Sequence, residues 1–107
     1  MTQMTKARER REQAHQRRMD EIRFTRAPDV ETINLSRQIL KEIRGSEPPW
    51  ADVETYARLS QLTSFARLDD VRIAEAAALR AELALHYPML AARFSIGTKS
   101  VSFDSSP

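Results

Sequence analysis

Long helix-compatible segments, separated by a few prolines and glycines, constrain the fold of this chain more than any other sequence feature. Five prolines and two glycines interrupt its 107 residues. The segments between them carry apolar residues at helical spacing, and none shows the strict alternation of a half-buried strand. We therefore expect an all-α protein: a small three-helix bundle that is preceded by an N-terminal Arg-rich helix and followed by a flexible C-terminal tail.

The same prolines and glycines predict how the chain is divided into parts. A length near 100 residues is enough for one folded domain. The predicted parts are a basic helical arm over residues 1–27, a helical bundle over residues 28–94 and a flexible tail over residues 95–107. The tail is rich in serine and is expected to be mobile, with docking of a short extended peptide around Val101 and Phe103 as the alternative.

Four helices are expected, one in the arm and three in the bundle. The arm helix covers about residues 5–24, and the bundle helices cover about residues 30–44, 50–67 and 70–87. Asp29 and Asp69 are placed to cap the first and third bundle helices, because a carboxylate at this position accepts a free backbone N–H. Gly45 is placed to end the first bundle helix in a left-handed conformation.

The last of these helices carries an unusually wide apolar arc. The arc consists of Val71, Ile73, Ala74, Ala77, Ala78, Ala81, Ala84 and Leu85. A helix this apolar is expected at the centre of the bundle. Two neighbouring helices do not easily cover so wide an arc, so we expect a homodimer or a complex with another protein to complete the core.

The amino-acid composition argues against most catalytic and cofactor sites. A chain without cysteine has no disulfide, no thiolate metal ligand and no thiol nucleophile. Two glycines are too few for a phosphate-binding loop. Glu82 and His86 lie one helical turn apart, but two ligands are insufficient for a metal site. We therefore expect no cofactor, no metal site and no enzymatic activity, in a cytoplasmic protein without a membrane-spanning segment.

Charge is concentrated at the N-terminus, although the net charge is only +2. Residues 1–26 hold eight basic and four acidic residues, whereas the other 81 hold nine basic and eleven acidic ones. Arginine suits bidentate contact with phosphate, so this arm favours nucleic-acid binding. The candidate nucleic-acid-binding residues are Lys6, Arg8, Arg10, Arg11, Arg17 and Arg18 in the arm, with Arg37, Lys41 and Arg44 on the following helix.

Each of these features has an alternative interpretation. The acidic residues in the arm equally fit a helix that lies on an acidic protein surface, or a solvated extension. Arg37, Lys41 and Arg44 are typical of a solvated helix edge. A helix-turn-helix over residues 56–85 is disfavoured, because its turn lacks glycine and its second helix begins with two aspartates. A helical hairpin that serves the core is the favoured interpretation of that span.

Three further residues are candidate partner contacts: Trp50, Arg80 and Phe94. Trp50 is expected to anchor the preceding loop to the core rather than to bind a partner, because aromatic residues supply much of a small core. Arg80 lies in the apolar arc, where it is expected to pair with a carboxylate or to mark an interface.

The sequence therefore predicts a small non-enzymatic accessory protein. It binds nucleic acid or a nucleoprotein complex through the basic arm, and it uses the bundle for self-association or docking. The alternative is a protein–protein adaptor or inhibitor that docks on a larger enzyme or assembly without nucleic acid.

Overall fold

A computed structural model describes residues 26–105 of the chain. The predicted Arg-rich helix over residues 5–24 lies outside these residues. Within the described range the chain is mostly helical, with a small two-stranded sheet at its C-terminal end. The elements, in chain order, are α1 (Val30–Arg44), α2 (Trp50–Leu62), α3 (Asp70–Ala84), α4 (Pro88–Ala91), β1 (Phe94–Ile96) and β2 (Val101–Phe103).

The predicted bounds of α1 are confirmed at both ends. The Asp29 carboxylate accepts a hydrogen bond from the backbone N–H of Thr32 at 2.8 Å. Gly45 has φ +76°, and its N–H donates to the Lys41 carbonyl at 2.8 Å. A left-handed residue satisfies a free carbonyl at the end of a helix, and only glycine takes this conformation without strain.

The expected cap of α3 is also confirmed, whereas its end differs from the prediction. The Asp69 carboxylate accepts from the backbone N–H of Arg72 at 2.7 Å. The helix ends at Ala84 rather than near Tyr87. Pro88 is the cause, because proline disfavours the helical conformation of the residue before it, and Tyr87 accordingly has φ −134° and ψ 64°. Pro88 then starts the short helix α4.

Helix α2 is five residues shorter than predicted. It ends at Leu62 instead of Arg67. The hydroxyls of Thr63 and Ser64 donate to the carbonyls of the last turn, at 2.5 and 2.6 Å. Serine and threonine side chains that bind nearby carbonyls in this way offer the backbone an alternative to further helix.

The core lies around α2, which packs against α1 on one side and α3 on the other. Its buried face holds Val53, Tyr56, Leu59 and Leu62, which recur every three residues in the sequence, a spacing that places apolar residues on one side of a helix. The expectation that the last bundle helix is central is therefore wrong. Large side chains remove more apolar area from water than alanines do, so the helix with the larger side chains occupies the centre.

The prediction of a flexible tail is wrong for residues 95–105, and the alternative of a docked extended peptide around Val101 and Phe103 is confirmed. β1 and β2 pair antiparallel, with Phe94 opposite Phe103 and Ile96 opposite Val101. Val101 is buried in the core. The N–H of Leu68 donates to the Lys99 carbonyl at 2.6 Å, which ties the hairpin to the loop before α3.

Candidate docking surface

One face of α3 is apolar and exposed to solvent. Its members follow each other at spacings of three and four residues, which places them on one side of a helix. They are Val71, Ala74, Ala78, Ala81 and Leu85, and each is exposed. The two large end residues, Val71 and Leu85, are 64% and 76% exposed. Leu85 follows the last residue of α3 and still has helical backbone angles. We call this set the apolar face of α3.

The structure reverses the predicted orientation of this helix. The residues of α3 that face the core are Ala76 and Leu83, which are buried, with Ile73 and Leu79 packed against them. Most of the predicted apolar arc therefore points away from the core. Five of the six alanines of α3 fall within an arc of about 120°, so the number of apolar residues alone favours burying their side. Leu79 and Leu83 decide the orientation, because burying leucine is worth more free energy than burying alanine.

A groove of about 360 Å³ continues this surface toward α4 and β1. Its walls are mostly alanine, including Ala77 and Ala81 of α3. Arg80 lines the groove, and its Nε–H donates to the carbonyl of Ala91 at 3.2 Å. Of the two expectations for Arg80, pairing with a carboxylate is wrong, because its hydrogen-bond partner is a backbone carbonyl. Its place at an interface stays a prediction. Next to the groove, Met89 is 86% exposed.

A group of three charged side chains lies beside the apolar face. Arg58 of α2 binds both carboxylate oxygens of Glu75, at 2.8 and 3.2 Å. Arg72 binds Glu75 as well, at 2.8 Å. The hydrogen bond from Arg58, followed by that from Arg72, lowers the pKa of Glu75 although partial burial opposes this shift. The group joins α2 to α3 and carries a net charge of +1.

Helical spacing predicts that Glu75, Glu82 and His86 form an exposed polar stripe on the last bundle helix, and the structure corrects this for Glu75 alone. Glu75 is half-buried in the charged group just described. The Nδ1 atom of His86 lies 3.3 Å from the Asp52 carboxylate. Glu82 remains exposed. No cluster of three or more potential metal ligands occurs among residues 26–105.

Asp52, near the start of α2, holds together three elements at one end of the bundle. Its carboxylate accepts from the Tyr87 hydroxyl at 3.2 Å and lies 3.9 Å from the Arg44 guanidinium of α1. Burial raises the pKa of the Tyr87 hydroxyl, and the Asp52 carboxylate adds to this shift. The hydroxyl is therefore protonated at neutral pH and acts as the donor to Asp52.

The three basic residues predicted on α1 all pair with acidic residues of this chain. Arg37 and Lys41 both form salt bridges with Glu47, the latter at 3.7 Å. Arg44 faces Asp52. Salt bridges between exposed groups are weak, yet each carboxylate offsets positive charge that a phosphate would otherwise meet. The six basic candidates of the arm, Lys6, Arg8, Arg10, Arg11, Arg17 and Arg18, lie outside the described residues.

The two aromatic candidates take opposite environments, and both differ from expectation. Trp50 is 57% exposed, and its indole N–H donates to Glu54 in the next turn, so it does not anchor the core. Phe94 is 1% exposed. Its ring packs edge-on against Tyr56 and lies 4.8 Å from the ring of Phe103. Phe94 is therefore a core residue and not a partner contact, because the hairpin folds back over it.

A second groove, of about 630 Å³, runs between α1 and α2. Leu35, Ile39 and Phe65 form part of its apolar lining. The hydroxyls of Ser36 and Ser64 line it too, but they donate to the Thr32 carbonyl of α1 and to the Gln61 carbonyl in the last turn of α2, at 2.7 and 2.6 Å. The hydrogen of each hydroxyl is therefore used in a bond to the backbone of this chain.

None of the helices within residues 26–105 combines the length and hydropathy that crossing a bilayer requires. Comparison of the chain with protein-family models, with curated proteins and with solved structures finds no match.

Proposed function

We propose that this chain is a small non-enzymatic accessory protein whose helical bundle docks on a protein surface through the apolar face of α3. The observation that carries the proposal is the continuous exposure of this face from Val71 to Leu85. Scattered exposed apolar residues are ordinary, but a contiguous apolar patch is typical of an interaction site. Burying it removes apolar surface from water, which drives association.

Groups beside the apolar face support the same interpretation. Interfaces combine an apolar centre with a polar rim. The apolar face has alanines at its centre, whereas Glu82 and the Arg58–Glu75–Arg72 group lie along its edge. The partner surface is therefore expected to be apolar in the middle and charged at its margin.

A second role, nucleic-acid binding through the basic arm, is supported by the charge of residues 1–26. Their excess of four positive charges suits phosphate contact. Because Arg37, Lys41 and Arg44 are offset by Glu47 and Asp52, we assign this role to the arm alone. An acidic surface on a larger enzyme or assembly is the alternative target, in which case the chain is an adaptor or inhibitor.

The docking role is tested by placing a large charge at the centre of the apolar face. Ala78→Arg is expected to abolish co-purification of partner proteins from cells that produce this chain. Gln38→Arg makes the same change at an exposed position of α1 and serves as the matched control. If Ala78→Arg retains the same partners as the control, docking through this face is wrong.

The role of the arm is tested by charge reversal in the full chain. Replacing Arg10, Arg11, Arg17 and Arg18 by Glu is expected to abolish binding to generic duplex and single-stranded DNA or RNA. The wild-type affinity is expected to fall steeply with salt, because phosphate contacts release counterions. If the wild-type chain does not bind nucleic acid at low salt, the nucleic-acid role of the arm is wrong.

A further inference from the structure

We infer that the apolar face of α3 binds the same face of a second copy of this chain, with the two α3 helices antiparallel and crossing at Ala78. The inference rests on the proposed function, since it names the partner of the face proposed to dock. Two features of the face argue for a second copy: the order of its side-chain sizes and the charges along its edge.

The side-chain sizes along the face are symmetric about its centre. Large residues, Val71 and Leu85, lie at the two ends, and alanines lie between them. Reversing the helix about Ala78 brings Val71 opposite the partner's Leu85, and Ala74 within one residue, about 1.5 Å along the axis, of the partner's Ala81. Crossed helices are closest at the crossing point and diverge from it. Small residues at the crossing and large ones at the ends therefore fit this contact, and a twofold interface requires such self-complementarity.

The charges along one edge of the face are complementary in the same arrangement. Glu82 and Glu75 lie on this edge, seven residues apart. Within residues 26–105 the Glu82 carboxylate has no recorded ion pair or hydrogen bond. Glu75 is bound by Arg58 and Arg72, so its group is net positive.

In an antiparallel pair related by a twofold axis, the edge that carries Glu75 and Glu82 in one copy lies beside the same edge of the other copy. Glu82 of one copy then lies opposite the Arg58–Glu75–Arg72 group of the other copy, and the symmetry axis forms this contact twice. Opposite charges that meet across an interface fix its register and exclude other arrangements. A parallel pair brings no such match, because its symmetry axis places Glu82 of each copy against the opposite edge of the partner's helix, which carries Ala77 and Ala84.

The size of the contact sets the expected affinity. The face is about 21 Å long, at 1.5 Å per residue. A single pair of crossed helices of this length lies at the low end of specific interfaces. We therefore expect a dissociation constant of about micromolar, with monomer and dimer exchanging at ordinary working concentrations.

The first test uses the absence of native cysteine, since a single introduced cysteine then reports only contacts with a second copy. Ala78→Cys lies at the crossing point and is expected to form a disulfide-linked dimer under mild oxidation. A disulfide requires Cα atoms within about 7 Å. Gln38→Cys, exposed on α1, is the matched control and is expected to remain largely monomeric. Equal cross-linking of the two variants overturns the crossing at Ala78.

The second test separates the antiparallel from the parallel arrangement. Ala74→Cys and Ala81→Cys are expected to cross-link poorly when each is alone, since the helix offset places identical residues beyond about 7 Å. A mixture of the two variants is expected to give a disulfide heterodimer. If each variant instead links to itself and the mixture gains nothing, the helices are parallel and the antiparallel arrangement is wrong.

The charge argument is tested by sedimentation of the unmodified chain and of two variants. Glu82→Lys is expected to weaken the dimer about tenfold. Glu42→Lys, which reverses the same charge at an exposed position of α1, is expected to leave the dimer unchanged. Equal dissociation constants for the two variants overturn the assigned register.

Failure of this inference is distinguishable from failure of the docking role. A wild-type chain that sediments as a monomer up to about 100 micromolar overturns the second copy as partner. If Ala78→Arg nevertheless loses a different co-purifying protein, docking through the apolar face stands with that protein as its target. If Ala78→Arg loses no partner, both fail.

Discussion

Helices α2 and α3 are both amphipathic, but they differ in which residues they bury. Helix α2 packs its apolar residues into the core, whereas α3 leaves an apolar face exposed to solvent. Six of the residues in α2 are buried, among them Leu59 and Leu62. In α3 only Ala76 and Leu83 are buried. The difference teaches that the size of apolar side chains, and not their number, decides which helix becomes central. An alanine-rich face left outside then becomes available for a partner.

The largest effect on stability is expected from shortening a buried side chain of α2. Leu59 is fully buried, so Leu59→Ala removes apolar contacts and leaves a cavity. We expect a loss of about 2–5 kcal/mol in the free energy of unfolding, measured by urea denaturation. Leu85→Ala makes the same change on the exposed face of α3 and is expected to change it by less than about 0.5 kcal/mol. If the two variants lose the same free energy of unfolding, the conclusion that Leu59 is a core residue and Leu85 is not is wrong.

A smaller effect is expected from the charged group that joins the two helices. Glu75→Gln leaves Arg58 and Arg72 half-buried without their carboxylate. We expect a loss of about 1–2 kcal/mol at pH 7, because the group is partly exposed and solvent screens it. Glu82→Gln removes a carboxylate from the same helix without breaking a recorded pair, and is expected to be nearly neutral.

The same group makes stability depend on pH. The pKa of Glu75 is lowered in the folded chain from its ordinary value of 4.5. A lowered pKa stabilises the fold above the unfolded value, and this contribution is lost as pH falls through the folded pKa. Wild type is therefore expected to lose stability below about pH 4.5 more steeply than Glu75→Gln, measured by thermal unfolding at several pH values. Parallel curves for the two chains argue against this assignment.

The smallest effect tests whether α3 depends on its cap. Asp69→Ala removes the carboxylate that accepts from the Arg72 N–H, and we expect a loss of about 1 kcal/mol. Asp70→Ala changes the next residue, which makes no cap bond, and is the control. Circular dichroism during urea unfolding measures both, and a larger loss for Asp70→Ala than for Asp69→Ala contradicts the assignment of Asp69 as the cap.

Much of the helical framework is predictable from the sequence because the signals are local. Asp29 and Gly45 mark the ends of α1, and Asp69 marks the start of α3. The stripe of large apolar residues in α2 predicts its buried face. The end of α2 was predicted less well, because Thr63 and Ser64 act by binding carbonyls of the preceding turn, a competition that apolar spacing does not reveal.

The candidate docking surface is only partly predictable from the sequence, although its residues belong to the predicted apolar arc. The sequence correctly marks α3 as too apolar for two neighbours to cover. The wide apolar arc predicts the wrong side of the helix in the core, because most of its members are alanines, whose burial removes less apolar area than that of Leu79 and Leu83. Leu79 and Leu83, the large residues in the middle of α3, mark the buried side.

The sequence by itself determined where helices begin, what kinds of chemistry are improbable and where charge is concentrated, because capping, composition and charge depend on residues close together in the chain. Only the tertiary structure decided that Phe94 is buried, that Trp50 is exposed and that α3 turns its alanines outward. These outcomes depend on which distant segments meet, namely the hairpin over Phe94 and α2 against Leu83. Burial is a property of the assembled surfaces, and no single segment contains it.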